Sequence, residues 1–143
     1  MSVIQKPVTS FAPKHNTQSS PTHLKKFSRT DCLTLWYNVT LRTVRRNEPD
    51  LTTRQLALFM CVYLEKGPHT VRSLALELGV TKAVISRALN RLCKYNFILR
   101  ADDPNDGRSV LIKRTSAGIQ YLQRFGDIIH QEMPDGARLL NWH

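Results

Sequence analysis

Apolar side chains recur along this chain at two rhythms, and the change of rhythm places its elements. Between Thr70 and Leu92, the residues Leu74, Ala75, Leu78, Val80, Ile85, Ala88, Leu89 and Leu92 keep the spacing that buries one side of each of two short helices. Gly79 stands at the sharp turn between them. The pattern predicts a helix-turn-helix: Thr70 caps a helix over Val71–Leu78, and Thr81 caps a second from Lys82 to about Tyr95. Asn96 is suited to the left-handed position that ends it. Two short apolar runs follow, Phe97–Arg100 and Val110–Lys113, joined as a β-hairpin by the loop Pro104-Asn105-Asp106-Gly107.

Three further helices flank this unit. Ser28 and Asp31 form a capping pair with Phe27 packed on Cys32, opening a helix that runs to about Arg46 and is stopped by Glu48-Pro49-Asp50. Its expected apolar side is Leu33, Trp36, Val39 and Val44, with Leu35 and Leu41 off that stripe. Thr52 and Gln55 repeat the capping signal, Leu51 stapling to Leu56, for a helix from Thr53 to Lys66. Leu56, Phe59, Met60, Tyr63 and Leu64 are its expected buried side, and Gly67-Pro68 ends it. Thr115 or Ser116 caps the last helix, which continues through Ile119, Leu122, Phe125 and Ile129 to Met133-Pro134. Beyond it Leu139, Leu140 and Trp142 are apolar enough to dock. The expected fold class is mainly α, a winged helix-turn-helix domain of about five helices with a small antiparallel β-hairpin wing.

Charge turns this outline toward a partner. From Lys82 to Arg100 every charged residue is basic, namely Lys82, Arg87, Arg91, Lys94 and Arg100, with no acid between Glu77 and Asp102. A solvated helix face normally mixes signs, so a face of one sign points to a polyanion. The whole chain of 143 residues carries a formal charge of +10, which favours nucleic acid or an anionic surface. Residues 1–27 hold Pro7, Pro13, Pro21, many Ser and Thr, and the bases Lys6, Lys14, Lys25 and Lys26, and are expected to form a disordered basic tail. No apolar run approaches the roughly 20 residues of a membrane span and no export signal precedes the domain, so a cytoplasmic protein is expected. Cys32, Cys61 and Cys93 are widely spaced on helical apolar faces, as suits reduced core thiols. His15, His23, His69, His130 and His143 make no ligand spacing, there is no Cys-x-x-Cys, and no Gly-rich phosphate loop follows a strand, which argues against an enzyme and implies neither metal nor cofactor.

A recognition helix in the major groove presents the face opposite its core, here Ala83, Ser86, Arg87, Asn90 and Lys94. Arg87 can grip guanine in a bidentate way, Ala83 can meet a thymine methyl, and Asn90 can pair with adenine. Thr81 and Lys82, with Thr70 and Arg72, stand at helix starts, where amides and a positive helix end favour phosphate.

The helix order, the Leu51-Thr52-x-x-Gln55 opening, the Lys82-Ala83-Val84-Ile85-Ser86-Arg87 stretch, and Asp103-Pro104-x-Asp106-x-Arg108 followed by Thr115-x-x-Gly118 together resemble the MarR family of bacterial regulators over about residues 29 to 133. The resemblance implies a double-stranded-DNA-binding transcriptional regulator, a repressor, whose wing arginine enters the minor groove oriented by the preceding Asp; those roles would fall on Arg108 and Asp106. The winged-helix domain would be 28–143, with 28–46 and 116–143 for dimerisation and 70–115 for the helix-turn-helix and wing. Family members usually have Gly where Asn96 stands, Leu where Arg114 stands, and a sixth long helix, whereas this chain ends roughly a helix early. A homodimer through helices 28–46 and 116–133 is nevertheless expected, because apolar residues spread too widely around both for one small core to cover. Leu35 and Leu41, and Tyr121, Phe125 and Ile128 beside Ile119, Leu122 and Ile129, are the residues concerned. In the family, small aromatic ligands or oxidants release DNA, but no residue here commits the chain to either effector. The rival expectation is a winged-helix protein acting through protein–protein contacts or coating DNA without sequence preference.

Overall fold

Local sequence signals set the boundaries of the elements. The computed structural model describes residues 27–134, so all but Phe27 of the expected basic tail, and Leu139, Leu140 and Trp142, lie outside the described residues. Its elements run α1 (Arg29–Val44), α2 (Thr53–Leu64), α3 (Val71–Leu78), α4 (Lys82–Lys94), β1 (Ile98–Asp103), β2 (Asp106–Arg114) and α5 (Ser116–Glu132). Each helix is opened by a hydroxyl that accepts from an amide three residues on: Ser28, Thr52, Thr70, Thr81 and Thr115. In α1, α2 and α3 the third residue reaches back to the cap amide, closing a capping box. Each such cap is worth about 1 kcal/mol.

Most of the apolar burial is in one cluster. Leu58, Phe59 and Val62 of α2 meet Leu74 and Ala75 of α3 and Ile85, Ala88, Leu89 and Leu92 of α4, closed by Phe97, Ile98, Ile112 and Tyr121. Phe59 stacks on Phe97 with ring centroids 5.2 Å apart, and Phe97 leans on Tyr121 at 4.6 Å. A smaller cluster joins α1 to α5 through Val39, Phe125 and Ile128, with Leu35, Leu56 and Ile129 against it. Ion pairs brace the same junction, Arg42 to Glu132 at 2.8 Å and Glu48 to both Arg46 at 2.9 Å and Arg124 at 2.6 Å.

The strands form an antiparallel hairpin in which Arg100 pairs with Ile112 and Asp102 with Val110, an irregularity at Asp102/Asp103 leading into the turn. A single bridge from Thr70 to Leu111 ties the start of α3 to β2. The wing is thus fixed to the helix-turn-helix.

Several expectations are corrected. α1 ends at Val44 and α2 at Leu64, short of Arg46 and Lys66. On α1 the inward side is Leu35 and Val39, while Leu33, Trp36 and Val44 lie exposed, because the contacts to α5 select the other of two overlapping apolar stripes. On α2 Leu64 is 75% exposed, and Leu58 and Val62 take the core positions instead. On α5 Phe125 is buried as expected and Ile119 is exposed, while Tyr121, Phe125 and Ile128, with Leu35 of α1, are covered by the chain's own two clusters and do not need a partner to bury them. Both strands extend further into the polar loop than apolarity suggested, since backbone pairing needs no apolar side chain. Cys32 is exposed and so is not a packed core thiol, whereas Cys61 and Cys93 are half-buried against the main cluster.

Candidate nucleic-acid interface

The fold buries one side of α4 and leaves the other to solvent. Ile85, Ala88, Leu89 and Leu92 face the core, and the three- and four-residue spacing that buries them turns Ala83, Arg87, Asn90 and Lys94 outward. Ser86 is half-buried at the edge of that face. Lys82 stands exposed in the first turn, and Thr81 Oγ1 accepts from the Val84 amide at 3.4 Å. Gly79, at φ 64°, makes the turn from α3 into α4 in the left-handed region, where a side chain would be strained. At the far end Asn96 adopts φ 57°, and its amide and that of Phe97 donate to the carbonyls of Cys93 and Leu92. Arg91 lies over the Tyr95 ring at 4.9 Å, so its charge is held beside the helix C-terminus, where a cation is favoured.

Thr70 and Arg72 come together at the start of α3. Thr70 exchanges bonds with Ser73, its amide donating to Ser73 Oγ at 2.9 Å and its hydroxyl accepting from the Ser73 amide at 3.1 Å. Arg72 is exposed beside it.

At the wing tip, Asp103 Oδ1 accepts from the Asn105 amide at 2.9 Å, an Asx turn that begins the reversal. Asp106 then accepts from the Arg108 amide at 3.1 Å and from the Ser109 hydroxyl at 2.8 Å. These bonds, the Ser109 hydroxyl first, hold the Asp106 carboxyl below the usual carboxylate range. Asp106 therefore fixes the backbone of Arg108, and the Arg108 guanidinium has no ion pair among the described residues.

Three residues outside the expected set are built into this region. Arg100 of β1 donates from Nη1 to Asn90 Oδ1 at 2.7 Å and from Nη2 to the Ser86 carbonyl at 3.4 Å, tying the wing to α4. Its only signal in the sequence was its place in the run of bases. Arg114 donates to the Val62 and Glu65 carbonyls at 2.9 and 3.2 Å, satisfying the end of α2. The Tyr63 hydroxyl donates to the Phe97 carbonyl at 2.7 Å and accepts from the Thr115 amide at 2.8 Å, joining α2 to the residue that leads into β1 and to the start of α5. No three His, Cys, Asp or Glu residues among those described are grouped to hold a metal ion. None of the described helices is long and apolar enough to cross a membrane.

Residues 51–110 match the MarR family model. The multiple antibiotic resistance protein MarR of Salmonella typhimurium is 35% identical over 88 residues, covering 59% of this chain and 60% of that protein. The chain thus spans about 60% of the length of the curated relative it matches. Among solved structures, a mutant of S. aureus MepR bound to an oligodeoxyribonucleotide superposes with a TM-score of 0.65 at 21% identity, over 82% of this chain and 87% of that one. Wild-type E. coli MarR in its apo form gives 0.57 at 22% identity, over 80% and 79%. At such identities these structures establish the winged-helix fold.

Proposed function

We propose that this chain, whose residues 51–110 match the MarR family model, is a member of that family and a sequence-specific double-stranded-DNA-binding transcriptional regulator that represses by occupying its site. The observation that carries this reading is the outward face of α4, exposed, without an acid, and backed by a fully apolar inner side. α4 enters the major groove, with Arg87, Ala83, Ser86, Asn90 and Lys94 toward the bases. Thr70, Arg72, Thr81 and Lys82 hold phosphates and set the register, and Arg108, its backbone fixed by Asp106, enters the adjacent minor groove. The MepR structure bound to an oligodeoxyribonucleotide lends support to this mode, since it shares the fold over most of both chains.

The functional unit in this reading is 28–143 working as a two-fold dimer in the cytoplasm, through α1 and α5. What supports it is the face of α1 that α5 leaves uncovered: Leu33, Trp36, Tyr37 and Val44 are all exposed and fall on one side of the helix. Two recognition helices about one DNA turn apart, roughly 34 Å, demand an inverted-repeat site.

The deciding experiment compares binding to the chain's own promoter DNA with binding to random duplex, expected to differ by roughly a thousandfold or more. Equal affinities would instead mean nonspecific coating or a role in protein–protein contacts. Light scattering tests the dimer separately, and a monomer that protects one half-site refutes that part.

A further inference from the structure

The Arg100–Asn90 contact decides what Asn90 can read. A guanidinium carries donors only, so the Asn90 atom 2.7 Å from Arg100 Nη1 is the carboxamide oxygen. The same guanidinium is steadied by the Ser86 carbonyl one turn earlier on α4. A charged donor at that distance fixes the amide plane more firmly than a neutral one would. An unclamped asparagine presents an acceptor and a donor side by side, the pattern that matches N6 and N7 of adenine. Asn90 has its acceptor turned toward β1, which leaves the two N–H groups of its amide for whatever approaches α4. Lys82, Arg87 and Lys94 on the same exposed face likewise have no acceptor. Guanine is the base whose major-groove edge offers two acceptors, O6 and N7, with no donor beside them.

We infer that Arg100 is a specificity-determining residue: it holds Asn90 as a hydrogen-bond donor, so that the base facing Asn90 is read as guanine rather than adenine. This rests on the DNA-reading role proposed above.

The full-length protein and its Asn90→Ala and Arg100→Met variants are each used to select duplexes from a randomised pool, with thermal unfolding run alongside to check folding. The position whose preference disappears in Asn90→Ala is the one Asn90 faces. Wild type is expected to select guanine there and to lose about tenfold in affinity when adenine replaces it. Arg100→Met releases the Asn90 oxygen and should move that position toward adenine while the others keep their preference. A base other than guanine in the wild-type site, an unchanged position in Arg100→Met, or an Asn90→Ala variant that relaxes no position overturns the inference and leaves the regulator reading standing. Should Arg100→Met not fold, the wild-type and Asn90→Ala profiles still decide between guanine and adenine. A wild-type protein that selects no sequence at all refutes the regulator reading, and this inference with it.

Discussion

Gly118→Ala is the substitution through which the architecture is tested most sharply. Gly118 is buried in the first turn of α5, its amide donating to Thr115 Oγ1 at 3.0 Å. A methyl group there would overlap the Tyr63 hydroxyl and the Phe97 carbonyl oxygen and come within 2.7 Å of Tyr63 Cζ. Neither neighbour yields easily. Phe97 O is backbone, and the Tyr63 ring packs edge-on against Phe59 at 4.9 Å in the fully buried core. Displacing the ring gives up its bonds to Phe97 and Thr115, each worth about 1 kcal/mol. Overpacking adds about 1–3 kcal/mol. Against this stands about 1 kcal/mol gained from alanine's helix propensity. The expected outcome is a loss of about 2–4 kcal/mol, seen in urea unfolding and as a fall in Tm on the order of 10–20 °C. Tyr63→Phe removes one of the overlapping atoms, so the double variant should lose less than the two single losses added together. A neutral or stabilising Gly118→Ala, or an additive double variant, would refute the close packing of α2 against the β1 and α5 junctions.

Arg87→Ala should cost about 1–3 kcal/mol on the specific site and relax preference at one base position, whereas equal losses on random duplex would reassign Arg87 to phosphate. Arg108→Ala should weaken binding most on sites with A·T-rich flanks, and equal losses on G·C-rich flanks would remove it from the minor groove. Arg114→Leu leaves the Val62 and Glu65 carbonyls at the end of α2 without their donor and should destabilise by about 1–2 kcal/mol, read by denaturant midpoint; an unchanged midpoint contradicts the cap. The Asp106 carboxyl is held below its ordinary value of about 3.9, so its contribution to the wing is present above that pH and is lost as pH falls through the lower, folded-state value. The Arg108 amide resonance should therefore titrate with a midpoint below 3.9, and a midpoint at or above it denies the Ser109 and Arg108 bonds.

What could be read from the sequence was what a few neighbouring residues decide together. The caps at Ser28, Thr52, Thr70 and Thr81, and the left-handed Asn96, depend on atoms within three or four residues, and each stands where the local signals put it. The inner sides of α3 and α4 were equally legible, because each helix carries a single apolar stripe. α1 was not, since it carries two. Leu33, Trp36, Val39 and Val44 read as one, with Leu35 and Leu41 lying off it; the packing of Phe125 and Ile128 takes Val39 together with Leu35 and leaves Leu33, Trp36 and Val44 exposed. Arg100 as a tether to Asn90, and Arg114 as a cap on α2, join residues separated by 10 and 52 positions, a distance at which no periodicity operates.

The motif Thr115-x-x-Gly118 gains a physical reason from these long-range contacts. Thr115 caps α5 with its hydroxyl, which also donates to the Asn96 carbonyl at 2.7 Å. Asn96 is the left-handed residue that ends α4, so the same side chain binds the last turn of α4 to the first turn of α5. Gly118, lacking a side chain, lets Tyr63 approach closely enough to bond the Phe97 carbonyl and the Thr115 amide. The start of α5 and the end of α4 are therefore tied both directly, through Thr115 and Asn96, and through Tyr63 of α2. Where α5 also carries the seam between two copies, as proposed above, a rotation of α5 at that seam cannot leave α4 where it was without breaking these bonds. The spacing of two recognition helices would then be set by the same few contacts that hold a single domain together.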